Sequence, residues 1–297
     1  MAGTLPPDRT RQIASRTPVG HAHPLHVRWD RVSVLFALVA VLAMVVAHAV
    51  VVAVRDDPSA PAAETAPVPT PDQLATPQSK CPEPASGVIR TAPVVRDEAD
   101  AAARTVALTF DDGPGPATPQ VLDLLQRAGV QATFFVIGQH AAANPEMLQR
   151  IVAGGNALGD HTWSHHIPSV SAGWKRSRLT GEIDRTRRAI LDATGIEACL
   201  FRPPGGVVKG AETVAHAAGL SMVLWSVDTR DWAPSKDRRK FATVIRKRAA
   251  LGLTEEHPVI LLHDGGGNRE ATVTALPEII NDYRAHGYRF VTLDQST

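Results

Sequence analysis

Thr105-Val106-Ala107-Leu108-Thr109-Phe110-Asp111-Asp112-Gly113-Pro114 is the stretch from which the rest of the chain can be read. Its first six residues are apolar or β-branched, as in a buried strand. The strand stops at two adjacent carboxylates followed by a Gly-Pro turn. Adjacent residues at a strand exit point in roughly opposite directions, so one carboxylate could bind a cation while the other faces its water. Taken alone, Asp-Gly-Pro also reads as an ordinary solvated turn.

Downstream, the same texture repeats. Thr118-Pro119 opens a helix with apolar Val121, Leu124 and Leu125, closed by Gly129. Residues 132–137 give a second strand, and Asn144-Pro145 starts a helix that stops at Gly154-Gly155. Further strands are expected at 198–201, 221–225, 259–263 and 288–291, with helical patterns between them. Alternating strands and helices imply an α/β chain of parallel strands joined by helical crossovers, either an open sheet or a barrel. In both, chemistry gathers at the carboxyl ends of strands.

The polar residues stand at those ends. After Asp111 and Asp112 comes Gly159-Asp160-His161-Thr162-Trp163-Ser164-His165-His166. On a helix, His161 and His165 would lie one turn apart on one face, the spacing of paired imidazoles in helical zinc hydrolase sites, although such a pair can also be exposed polar surface. With Asp112 they make a two-His, one-carboxylate set that leaves room for water, as catalytic zinc sites do. Such donors suit zinc and permit cobalt or nickel. Then follow Phe201-Arg202-Pro203-Pro204-Gly205-Gly206, next the Asp228-Thr229-Arg230-Asp231-Trp232 segment, and last Leu261-Leu262-His263-Asp264 before a glycine run. That run lacks the Lys-Ser/Thr of a phosphate loop, and no Gly-x-Ser-x-Gly elbow occurs. Asp228, Asp264 and His166 read as structural.

In this order the five motifs TFDDGP, HTWSH, RPPGG, DTRDW and LLH resemble the polysaccharide deacetylases, the NodB-homology domains of carbohydrate esterase family 4, over roughly residues 104–295. The resemblance implies a distorted (β/α) barrel of about seven strands and a metal-dependent hydrolase that removes acetyl groups from N-acetylglucosamine polymers. An O-acetyl esterase of the xylan type and a non-catalytic surface glycan-binding protein are the alternatives. By the same resemblance Asp111 is the catalytic base and His263 the general acid, and Asp112, His161 and His165 ligate the metal. Arg202 holds Asp111, Asp231 orients His263, the Gly205 N–H serves the oxyanion, and Trp232 and Leu261 wall the acetyl methyl. Many relatives carry an aromatic side chain where this chain has Gly205, so the groove there is expected to differ in shape.

Upstream the reading changes character. Residues 32–54 carry no formal charge over 23 positions. As a helix they would span about 35 Å, enough to cross a hydrocarbon core of about 30 Å. Arg9, Arg11, Arg16, Arg28 and Arg31 precede the run, so positive-inside keeps residues 1–31 in the cytoplasm and the C-terminal bulk outside. Residues 55–103, rich in Pro and Ala, then form an extended extracellular linker, and residues 104–297 the catalytic domain. The whole is expected to be a single-pass protein of the cell membrane acting on acetylated wall polysaccharide; a cleaved signal peptide, whose apolar core is usually nearer 7–15 residues, is the alternative reading of 32–54. A net charge of +1 on 297 residues and 5% aromatic residues disfavour nucleic acid as a partner. The two cysteines, Cys81 and Cys199, are too few for a disulfide scaffold but could pair with each other outside the membrane.

Overall fold

The computed structural model describes residues 81–95 and 103–294. The expected cytoplasmic segment, the membrane-spanning helix at 32–54 and most of the linker lie outside the described residues. Among the described residues no helix is long and apolar enough to cross a membrane.

Among the described residues nine strands run β1 Val88–Ile89, β2 Thr105–Asp111, β3 Thr133–Val136, β4 Ala157–Asp160, β5 Leu200–Phe201, β6 Ser221–Val223, β7 Val227–Asp228, β8 Val259–His263 and β9 Arg289–Phe290. Every ladder is parallel, in the order β1-β6-β5-β4-β3-β2-β8-β7, with β9 beside the start of β2. The helices are α1 Thr118–Ala128, α2 Gly138–Ala143, α3 Pro145–Ala153, α4 Arg176–Thr194, α5 Glu212–Ala217, α6 Arg238–Ala249 and α7 Glu270–Ala285. The proline of Thr118-Pro119 sits in the first turn of α1, and Gly129, at φ 60°, ends it in the left-handed region.

β2 explains the architecture. All seven of its residues are buried. Val106, Leu108 and Phe110 pack into the larger core with residues of α1 and α7, among them Leu125 and Ile279. Ala107 belongs to a second core with Phe135, Leu200, Val223, Val259 and Leu293, inside the curl of the sheet. Strand alternation therefore sends Ala107, Thr109 and Asp111 inward, and Asp111 arrives at the inner rim because it stands four residues beyond Ala107 on the same face.

β6 and β7 are separated by only Leu224, Trp225 and Ser226, yet lie at opposite ends of the run β6-β5-β4-β3-β2-β8-β7. Four Cα steps span at most about 14 Å, so the sheet must curl until its ends nearly meet. The expected domain boundary at residue 104 and the count of about seven strands need correction at this seam. Residues 88–92, assigned from sequence to the linker, lie across it. Leu224 N donates to Ile89 O at 2.8 Å, and Ala92 N donates to His257 O at 2.8 Å. Just upstream, Cys81 and Cys199 form a disulfide that closes a sequence separation of 118 residues. Two apolar residues between prolines carry no readable period, and only tertiary pairing makes them a strand.

Candidate active site

The C-terminal ends of β2, β4, β5, β7 and β8 converge on one cavity of about 480 Å³, lined by Asp111, Asp112, His161, His165, Gly205, Trp232, Leu261 and His263 together with Ile167, Trp225 and Asp228. Arg202 and Asp231 stand behind it through their hydrogen bonds. A larger cavity of about 830 Å³, lined by residues such as Leu125, Gln131, Arg150 and Arg289, has no carboxylate, histidine or cysteine in its lining. The cluster that could hold a metal, among the described residues, is Asp112 with His161 and His165.

Asp112 leaves β2 with φ at 72°, a conformation uncommon for a non-glycine residue. Its Oδ1 lies 3.5 Å from His161 Nε2 and 3.0 Å from His165 Nε2. The helix expected to carry those histidines does not form. β4 ends at Asp160, and the segment beyond it is a loop in which Thr162 (φ 67°) and His165 (φ 53°) are left-handed. The reason is local: Asp160 Oδ1 accepts the Thr162 N–H at 2.7 Å, a side-chain turn that competes with helix initiation. The loop still brings the rings to 5.1 Å between centroids.

The donor set fits a divalent cation. One ligand atom from each of the three residues can be chosen so that all lie within 4.8 Å. Asp112 Oδ1 is buried without a hydrogen-bond partner among the described residues, the usual mark of a polar atom awaiting a ligand. His161 Nδ1 is 2.7 Å from Arg202 O, which can only accept, so the neutral ring turns its Nε2 lone pair toward the carboxylates. Burial pushes the Asp112 carboxyl up, but the two imidazoles outweigh it and hold the group well below the usual carboxylate range.

Beside this cluster stand two charge pairs. Arg202, fully buried, donates from Nη1 to Asp111 Oδ1 at 2.7 Å and to Thr109 Oγ1 at 2.8 Å, and from Nη2 to Leu224 O at 2.9 Å. Its guanidinium lies 4.0 Å from the Phe135 ring centroid. Burial lowers its pKa against the opposing pull of Asp111, from a starting point so high that the charge persists. On β8, His263 Nδ1 is 2.7 Å from Asp231 Oδ1, while Asp231 Oδ2 accepts from His263 N and from Thr272 Oγ1, each at 2.8 Å. Burial disfavours the imidazolium, but Asp231, with Asp111 and Asp112, overcomes this and raises the His263 pKa.

Gly205 sits at φ 65°, where a Cβ would come within 3.0 Å of Ile167 Cγ2, so Ile167 occupies the space beside it. Asp264, read from sequence as structural, is fully buried and bonded by Thr118 Oγ1; burial and the nearby Asp112 and Asp111 push its pKa up to about 7. Sequence reasoning missed Ile167, Trp225 and Arg269. Arg269 is buried, donating to Gly265 O at 2.6 Å and Asp231 O at 3.1 Å, with Nη2 4.0 Å from Asp112 Oδ2. Trp225 was legible as an indole at the end of β6; Ile167 and Arg269 carry no local signal.

Comparison with known proteins identifies the family. The family model described as polysaccharide deacetylase matches residues 98–223. A peptidoglycan-N-acetylglucosamine deacetylase of Bacillus cereus is 39% identical over 196 residues, covering 65% of this chain and 87% of its own. One from Listeria monocytogenes is 35% identical over 193 residues, 65% of this chain but 38% of its own length. A family 4 carbohydrate esterase from Streptomyces lividans, solved with acetate, superposes with a TM-score of 0.54 at 32% identity, covering 62% of this chain and 90% of that one.

Proposed function

The chain belongs to the polysaccharide deacetylase family, hydrolases acting on carbon–nitrogen bonds, and on that premise we propose that it removes N-acetyl groups from a cell-wall glycan of the peptidoglycan or chitin type. The observation that carries the proposal is the convergence of Asp112, His161 and His165 with the Asp111–Arg202 and His263–Asp231 pairs at one cavity.

A divalent cation held by Asp112, His161 and His165, most naturally Zn²⁺ with Co²⁺ or Ni²⁺ as substitutes, would polarise the acetyl carbonyl and acidify water. Asp111, aimed by its hydrogen bond from Arg202 Nη1 at 2.7 Å, takes a proton from the attacking water. As the water oxygen bonds to the carbonyl carbon, negative charge develops on the carbonyl oxygen, and the N–H of Gly205, which lines the cavity, donates to it. The carbon–nitrogen bond breaks only if the departing nitrogen gains a proton. His263 supplies that proton from Nε2, because Nδ1 is engaged by Asp231. Acetate and a free amine on the glycan are the products. Leu261, buried at the cavity wall, and Trp232, 46% exposed at its mouth, border the acetyl group and the sugar.

We further propose that residues 32–54 anchor the protein in the membrane with the catalytic domain outside. The Cys81–Cys199 disulfide supports an oxidising compartment. Acetate release by the purified chain from peptidoglycan, chitin oligomers and acetylated xylan tests the reaction, and release from xylan alone would overturn it in favour of an O-acetyl esterase. Protease added to intact cells should free an active domain; protection until lysis would overturn the topology.

A further inference from the structure

We infer that Glu182 is a positioning residue for the metal cluster, acting through Ser164 to fix where His165 stands; this rests on the metal reading proposed above. Glu182 lies on α4, far in sequence from the histidine loop. Its carboxylate grips that loop at both oxygens. Oε2 accepts the Ser164 backbone N–H at 2.7 Å, and Oε1 accepts the Ser164 hydroxyl at 2.8 Å. The Glu182 side chain is only 12% exposed, so water competes poorly for these bonds.

The two histidines are held very differently. His161 is fixed from both ends: its N–H donates to Val136 O at 3.0 Å and its Nδ1 faces Arg202 O at 2.7 Å. The next two residues are tied as well, since Gly138 N donates to Thr162 O at 2.9 Å and Gln139 N to Trp163 O at 3.1 Å. The Arg185 guanidinium, one turn of α4 beyond Glu182, lies 4.1 Å from the Trp163 ring centroid. His165 has no such support. Apart from its approach to Asp112, its ring finds no hydrogen-bond partner among the described residues, and its side chain is 30% exposed. Its backbone is left-handed at φ 53°, a conformation that surrounding contacts must impose on a residue with a side chain. The contact nearest in the chain is the Ser164–Glu182 pair.

A carboxylate at position 182 accepts twice, once from a backbone amide and once from a hydroxyl, with one oxygen for each. A Gln there presents one oxygen, which can accept from the amide, and one NH₂, which can donate to the hydroxyl oxygen, so both contacts can survive without the charge that strengthens them. Glu182→Gln should therefore weaken the site less than Glu182→Ala.

The test is Zn²⁺ affinity of the full-length chain, measured by competition with a chromophoric chelator and read without any substrate. Glu182→Ala should bind Zn²⁺ roughly 10–100-fold more weakly, the range found when groups that orient metal ligands are removed. Ser164→Ala, which keeps the backbone bond, should lose less, and it serves if Glu182→Ala does not fold. In a His165→Ala background, Glu182→Ala should change Zn²⁺ affinity little, because the residue it acts through is gone. A merely structural Glu182 would lower thermal stability of the metal-free protein while leaving affinity of the folded protein unchanged. That result, or equal losses with and without His165, overturns the inference. A parent chain that binds no Zn²⁺ overturns the metal reading along with it.

Discussion

Replacing Asp231 by Asn probes how His263 is kept ready to give up a proton. The pair is almost dry, with Asp231 fully buried and His263 11% exposed at their side chains, so solvent screening of the 2.7 Å contact is weak. Burial alone would push His263 toward neutrality, and it is the hydrogen bond and charge of Asp231, with smaller help from Asp111 and Asp112, that lift its pKa above 6.5. An opposite charge in contact moves a pKa by about 1–3 units. Asn keeps the shape of Asp231 but removes the charge, so burial regains ground and His263 should titrate lower. A group with a raised pKa holds its proton below that value and loses it as pH climbs through it. The alkaline limb of kcat/KM for acetate release from a chitin oligomer should therefore move to lower pH in Asp231→Asn, with the loss of activity above the limb bounded by the roughly 10²–10⁴-fold that general acid catalysis supplies and nearer parity on the acid side. An alkaline limb at unchanged pH would refute this account. So would a uniform loss at every pH, which would make Asp231 a scaffold for the β8 exit through its bonds to His263 N and Thr272.

His263→Ala should slow N-deacetylation by roughly 10²–10⁴-fold but hydrolysis of nitrophenyl acetate far less, because a phenolate leaves without a proton; equal losses would assign the histidine another role. Asp112→Ala should lose bound metal and activity together, whereas Asp111→Asn should keep the metal and lose turnover, as metal content after dialysis would report. Equal metal loss in both would reverse their assigned roles. Replacing Cys81 and Cys199 together by Ser should lower unfolding free energy by up to about 4–5 kcal/mol, measured from denaturant midpoints; an unmoved midpoint would show the bridge to be idle.

Residues whose role is written in local pattern were legible. β2 and β8 announced themselves as apolar runs ending in Asp111 and His263, and the bounds expected for β8, 259–263, are those observed. What could not be read was set by contacts distant in sequence. β4 and β7 are short, carry Gly or Asp, and take strand geometry from their neighbours. The spacing of His161 and His165 was right for joint ligation and the helix was wrong, because a turn through two left-handed residues can bring the same two rings together. Arg269 and Glu182 carry no motif, and their importance lies only in what they touch. The boundary at residue 104 failed for the same reason, since Val88 and Ile89 are strand only because Met222 and Val223 lie beside them.

The disulfide also decides how the domain bears load. β1 is two residues long, and a pull along the chain from its N-terminal side would open its bonds one after another, as a zipper opens. The bridge at Cys81 takes that pull first and delivers it to Cys199, immediately ahead of β5 in the middle of the sheet. Tension from the preceding chain is thus carried around the seam, and residues 88–92 can keep the curl shut without being part of the mooring line.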